Sequence, residues 1–283
     1  GSVFLFVKEV SKISIKSAAL SYQKLFDYEY QFTVVRNRNT QPINICIRFD
    51  KSTFHHLCGL HKLKDIEVVR REKRESVFDK IIDGTYSDEL FQKSTWYDEI
   101  LDRIDCLEHL EAILDDKDTI FKFNPSANKS SKIDADYIIK NETLGLRYYF
   151  LVSQNDTDNF FFGRSCFTRG QNERDFTIGH TSYTILRKVK IDLREEKEPV
   201  ELFIADSYKQ QLEQHTKEPN EKISAEKELV TIAAAAGSTQ KDKPQTQPYM
   251  SVSQLRKNAL AQKKREQQKP HQIKKKKDQQ SLD

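Results

Sequence analysis

The chain has 283 residues, with 47 Lys or Arg against 43 Asp or Glu and a net charge of +4. No apolar run approaches the ~20 residues that a bilayer-spanning helix needs. Val3–Val7 is likewise too short for a secretory core, so no membrane segment and a cytoplasmic location are expected. Gly1-Ser2 reads as a cleavage remnant and is set aside. Cys46, Cys58, Cys106 and Cys166 lack any C-x-x-C pairing, which predicts reduced thiols rather than a disulfide framework. Cys58 reads as a small buried hydrophobe.

Ser14 is a candidate helix cap, and Ile15, Ala18, Ala19, Tyr22 and Phe26 form one stripe of a helix over 14–26. Strands follow at Tyr28–Val35 and Ile43–Phe49, joined by the polar turn at 36–42 as a hairpin.

The next stretch, Phe54-His55-His56-Leu57-Cys58-Gly59-Leu60-His61-Lys62-Leu63-Lys64, concentrates groups that carry protons and charge among residues that favour burial. As one helix it places Phe54, Leu57, Cys58 and His61 on a face, but Gly59 predicts a break and a second short element. Histidine titrates near neutrality, and a nearby lysine can steady an anion. The His-His-x4-His spacing matches no standard zinc pattern.

Residues 67–118 are helical in pattern and rich in charge, with acids outnumbering bases over 98–118, which predicts a poor phosphate surface and a solvated or salt-bridged His109. From residue 119 the apolar period changes to two, giving strands at 119–123, 137–140, 144–152, Phe160–Phe167 and 182–193, the last three read as a meander. Strict alternation in Phe160–Phe167 puts Phe160, Phe162 and Arg164 on one face and Phe161, Gly163, Ser165 and Phe167 on the other. Arg164 can grip a phosphate with two prongs and Ser165 can donate to it. His180 and Tyr183 are weaker candidates.

The fold expected is α+β: a curved antiparallel sheet, made of the early hairpin and the meander, packed against helices, with helical and basic C-terminal extensions. The domain spans 3–194 with the helical insert 67–118; a helical extension follows at 195–236, a linker at 237–250 and a basic tail at 251–283. That tail holds ten Lys or Arg against three acids, so its net of +7 leaves −3 on the other 250 residues. Arg256, Lys257, Lys263, Lys264, Arg265 and Lys274, Lys275, Lys276, Lys277 suit sequence-blind attraction to a phosphate backbone.

The stretch Phe54 to Leu63 also resembles the F-x-HL-x-GLHKL motif of a nuclease-like family from phages and mobile elements, the fourth phage group within the fold group of barnase, EndoU, the tRNase colicins and RelE. The resemblance runs over roughly residues 13–194, taking in Ala18–Tyr30, Tyr149–Leu151, Arg164–Phe167 and Tyr183–Lys188, with Cys166 where an aromatic belongs. It implies a metal-independent, toxin-like endoribonuclease that needs no cofactor. His56 and His61 would share the proton transfers of attack by the ribose 2′-hydroxyl, Lys62 or Lys64 and Arg164 would hold the phosphate, and Ser165 would assist. RNA is then the partner, possibly tRNA or mRNA, with a neutralising protein as a second one contacted by 195–236. The alternative is a catalytically inactive module of the same shape that binds nucleic acid or a partner protein.

Overall fold

The computed structural model describes residues 14–37, 40–127, 133–153, 160–169, 175–194 and 197–214. The linker, the basic tail, and the extension beyond residue 214 lie outside the described residues.

Helix α1 (Ile15–Lys24) starts where Ser14 accepts a hydrogen bond from Ser17 N, a cap worth about 1 kcal/mol. Its buried stripe is Ile15, Ala18, Ala19 and Tyr22. Strands β1 (Tyr28–Val35) and β2 (Ile43–Ile47) form the hairpin read from the sequence. Asp50 then caps α2 (Lys51–Leu57) by accepting from Ser52 N at 2.7 Å. Tyr22 packs tilted against Phe54 and Phe78 packs edge-on to it, with centroids 5.8 and 5.0 Å apart, and together they clamp α2 between α1 and α4 (Arg74–Ile82). The insert holds further helices, α3 (Glu67–Arg71), α5 (Asp88–Gln92), α6 (Leu101–Glu108) and α7 (Leu110–Asp115).

The sheet differs from the expected open, curved one. Strands β3 (Asp118–Lys122), β4 (Tyr137–Asn141), β5 (Arg147–Ser153) and β6 (Phe160–Thr168) form an antiparallel meander, but β7 (Thr181–Asp192) does not continue it. Instead β7 crosses to lie between β3 and β1. Parallel pairing of Cys46 with Phe160 and Ile47 with Phe161 joins β2 to β6. Among the described residues, seven strands thereby close into a barrel, leaving β2 and β6 with partners on both sides. The extra strand β8 (Val200–Ile204) lines the free side of β7; it lies in the stretch the sequence reading assigned to a helical extension, although 206–214 is helical.

Two further expectations fail on β6. Ser165 pairs with Phe150 and Gly163 with Leu151, so Arg164 is the extra residue of a β-bulge. The bulge inverts the facing: Phe161 and Cys166 enter the core shared with the helices, whereas Phe167 enters a separate cluster with Phe150 and Tyr148. Strict alternation had put Phe161 and Phe167 together. Turned towards the helices, Cys166 meets Cys106 of α6 and the two form a disulfide, correcting the reading of reduced, unpaired thiols. Cys46 and Cys58 stay free, and Cys58 is buried as expected.

Candidate active site

Gly59 ends α2 in the left-handed region, with φ of 79°. A Cβ there would lie 2.7 Å from Arg103 Cδ and 2.8 Å from Ile100 Cγ2, so both its backbone conformation and its missing side chain are used. The turn folds the short 3-10 segment Leu60–Lys62 back beside α2. His56 and His61, on either side of the glycine, come to stack with ring centroids 4.2 Å apart and planes 11° from parallel. His55 points away: it is buried, with Nε2 3.3 Å from the Val69 carbonyl.

A second glycine sets the opposite wall. A Cβ on Gly163 would stand 2.5 Å from Tyr149 Oη and 2.9 Å from Leu57 Cδ1. Its absence lets α2 lie directly on β6, next to the bulge that carries Arg164. A cleft of ≈ 660 Å³ results, lined by His56, Arg74, Arg164, Ser153 and Phe162, with Asp50, Ser52 and Thr53 from the start of α2. Arg48 lies on its floor, ion-paired to Glu29 at 2.8 Å and stacked over Phe160. Arg164 and Arg74 are exposed and have no carboxylate partner among the described residues.

The field is strongly cationic. Burial first, then His61, Arg164, Arg103 and Arg74, push the His56 pKa down to about 3. Desolvation under the surrounding protein, then Arg103, His55, Lys62 and Arg74, push His61 down to about 4, although the residue is exposed on one side of the stack with His56. Both imidazoles are therefore neutral at pH 7 in the free protein. Burial likewise lowers Arg103 and Lys62 and raises Asp102.

Of the residues singled out from the sequence, the structure joins His56 to His61 and His56 to Arg164. It turns the others elsewhere. Lys62 Nζ donates to the Glu99 carbonyl at 3.1 Å, Lys64 sits over the Trp96 ring, and Ser165 is 3% exposed and accepts from Arg103 Nη1 at 3.0 Å. Arg103 and Arg74 were missed. Arg103 lies in the acidic run that predicts a poor phosphate surface, yet its spacing from Ile100 and Leu107 places it beside the buried stripe of α6. Its Nε is buried with no hydrogen-bond partner. Among the described residues no group of three or more His, Cys, Asp or Glu is placed to hold a metal ion.

A family model, PBECR4, described as phage-Barnase-EndoU-ColicinE5/D-RelE like nuclease4, matches residues 14–205. The chain belongs to this family. No curated protein and no solved structure matches it. The PBECR4 match begins at the cap of α1 and ends just past β8, so the closed barrel, the insert helices and the whole cleft fall inside it. No helix among the described residues of this PBECR4 domain is long and apolar enough to cross a membrane.

Proposed function

We propose that this nuclease-family domain is a metal-independent endoribonuclease that cuts by attack of the ribose 2′-hydroxyl on the adjacent phosphate. One observation carries the reading: His56, stacked on His61, lines the same cleft as Arg164 and Arg74. Scission of this kind needs a group to take the 2′-hydroxyl proton, cations around the crowded phosphate, and a group to protonate the departing 5′ oxygen. The stacked imidazoles divide the two proton transfers, and each such transfer is worth about 10²–10⁴ in rate. Arg164 grips the phosphate and Arg74 and Arg103 supply the surrounding field. Arg103 also fixes Ser165, which assists through that guanidinium rather than by direct contact.

The depressed histidine pKa values suit a site that waits for an anion. A phosphodiester entering among the arginines offsets their charge and raises the affinity of the imidazoles for a proton. RNA incubated with the purified chain in excess chelator is expected to be cut, and His56→Ala and His61→Ala to lose the activity while remaining folded. Intact RNA across a broad set of substrates contradicts the proposal.

A second reading has its own support. Lys62, Lys64 and Ser165 are all engaged away from the cleft, as in a binding module that has kept the shape of a nuclease. Salt-sensitive association with RNA, without products, is its signature.

A further inference from the structure

The chain has a single tryptophan, Trp96, and it is 41% exposed. A single exposed ring is ordinary by itself, but the turn that carries this one is held in place. The Asp65 carboxylate accepts hydrogen bonds from Ser94 Oγ at 2.5 Å, Thr95 N at 2.8 Å and Thr95 Oγ1 at 3.2 Å, fixing the turn that carries Trp96. Asp65 follows directly on the segment of His61, Lys62 and Lys64. Lys62 ties the same segment to the 3-10 stretch Tyr97–Ile100 that follows Trp96, through the Glu99 carbonyl. Lys64 Nζ stands 5.7 Å from the indole centroid, so a cation, an exposed aromatic plane and the His61 element form one connected surface.

We propose that Trp96 is a base-stacking platform, holding one nucleobase of single-stranded RNA where it runs out of the cleft past the segment that carries His61, with Lys64 on the adjoining phosphate. The inference deepens the proposed ribonuclease reading and rests on it for the identity of the substrate. A turn held by Asp65 presents the indole from a fixed backbone, which lowers the cost of ordering it on a base, and stacking tolerates any base because each presents a π-face. Purines, with the larger face, are preferred. Base-aromatic stacking is worth about 1–3 kcal/mol per base, roughly a 5- to 150-fold change in binding.

Because Trp96 is alone, its fluorescence reports the contact directly. The intact chain is titrated with a short 2′-O-methyl RNA that cannot be cut by 2′-hydroxyl attack, and with the same strand made abasic. The base-bearing strand is expected to quench Trp96, and the abasic strand to bind more weakly without quenching. On cleavable RNA, Trp96→Ala is expected to raise KM about tenfold or more with kcat within about twofold, and Trp96→Phe to recover most of the loss. Equal response to both strands, or Trp96→Ala binding like the unaltered chain, overturns the platform even where RNA is cut. Quenching by the base-bearing strand with no cleavage of any RNA keeps the platform and removes the scission reading. Binding of neither strand overturns the platform, while the scission reading stands or falls on the cutting of RNA with free 2′-hydroxyls.

Discussion

His56 and His61 lie face to face, 4.2 Å between ring centroids, because Gly59 reverses the chain between them. Two neutral imidazoles can pack this closely, whereas two imidazolium ions would repel each other within a ring of arginines. The free pair is thus neutral, and an anion that offsets the arginines lets it take up one proton.

The pH dependence follows with a definite sign. Both pKa values in the folded chain lie below the ordinary 6.5, at about 3 and about 4. Between those values and 6.5 the unfolded chain binds more protons than the folded one, so stability falls as pH drops through that window. Urea unfolding followed from pH 7 to pH 4 is expected to show this loss, and His56→Gln to flatten it. In NMR titrations both imidazoles are expected to stay neutral above pH 5, and inorganic phosphate to raise both pKa values.

Arg164 reaches the cleft from a bulge and has no carboxylate partner among the described residues. Arg164→Ala is expected to lower kcat/KM for RNA about 10²-fold with little change in stability, the scale found for one removed charge-stabilising donor. Ser165→Ala is expected to cost far less than Arg103→Ala, since Ser165 acts through the guanidinium. Steady-state kinetics on one RNA substrate separates these cases.

Gly163 and Tyr149 form a second testable pair. Gly163→Ala pushes a methyl into Tyr149 Oη and Leu57 Cδ1, and overpacking of this sort costs about 1–3 kcal/mol. It also lifts α2 from β6 and separates His56 from Arg164, so activity falls as well. Tyr149 Oη is buried with no hydrogen-bond partner, so Tyr149→Phe is expected to be neutral or stabilising by up to about 1 kcal/mol. Denaturant unfolding of both variants and of the double variant checks the two claims together, with partial recovery in the double.

The Cys106–Cys166 bond joins α6 to β6 across a sequence separation of 60 residues. Closing a loop of that length stabilises by about 2–4 kcal/mol. A dithiol reductant is expected to lower Tm by several degrees, and Cys106→Ala/Cys166→Ala to show the lower Tm without reductant. Identical melting curves with and without reductant contradict this.

Local chemistry made much of the fold legible. Ser14 marks the start of α1, the alternation of Ile43, Ile45 and Ile47 places β2, and Gly59 announces the break that stacks two histidines. Closure of the barrel was not legible, because it rests on the parallel contact of Cys46 and Ile47 with Phe160 and Phe161, which leaves no local signature. Nor was the course of β7, whose alternation is the same whether it pairs with β6 or with β3 and β1. The bulge had a signal that was passed over: a glycine inside a strand, Gly163, often marks one. Reading it would have turned Cys166 towards the helices. Arg103 was hidden by the acidic composition around it, although its place on the α6 stripe could have been counted.

The central claim is that the cleft cuts RNA through the 2′-hydroxyl, and the chemistry of the product ends tests it most directly. RNA digested in excess chelator is predicted to end in 2′,3′-cyclic phosphate, or its opened form, and 5′-hydroxyl, with none formed by His56→Ala or His61→Ala. Products bearing 5′-phosphate and 3′-hydroxyl, or cutting of an all-deoxy strand, would contradict it.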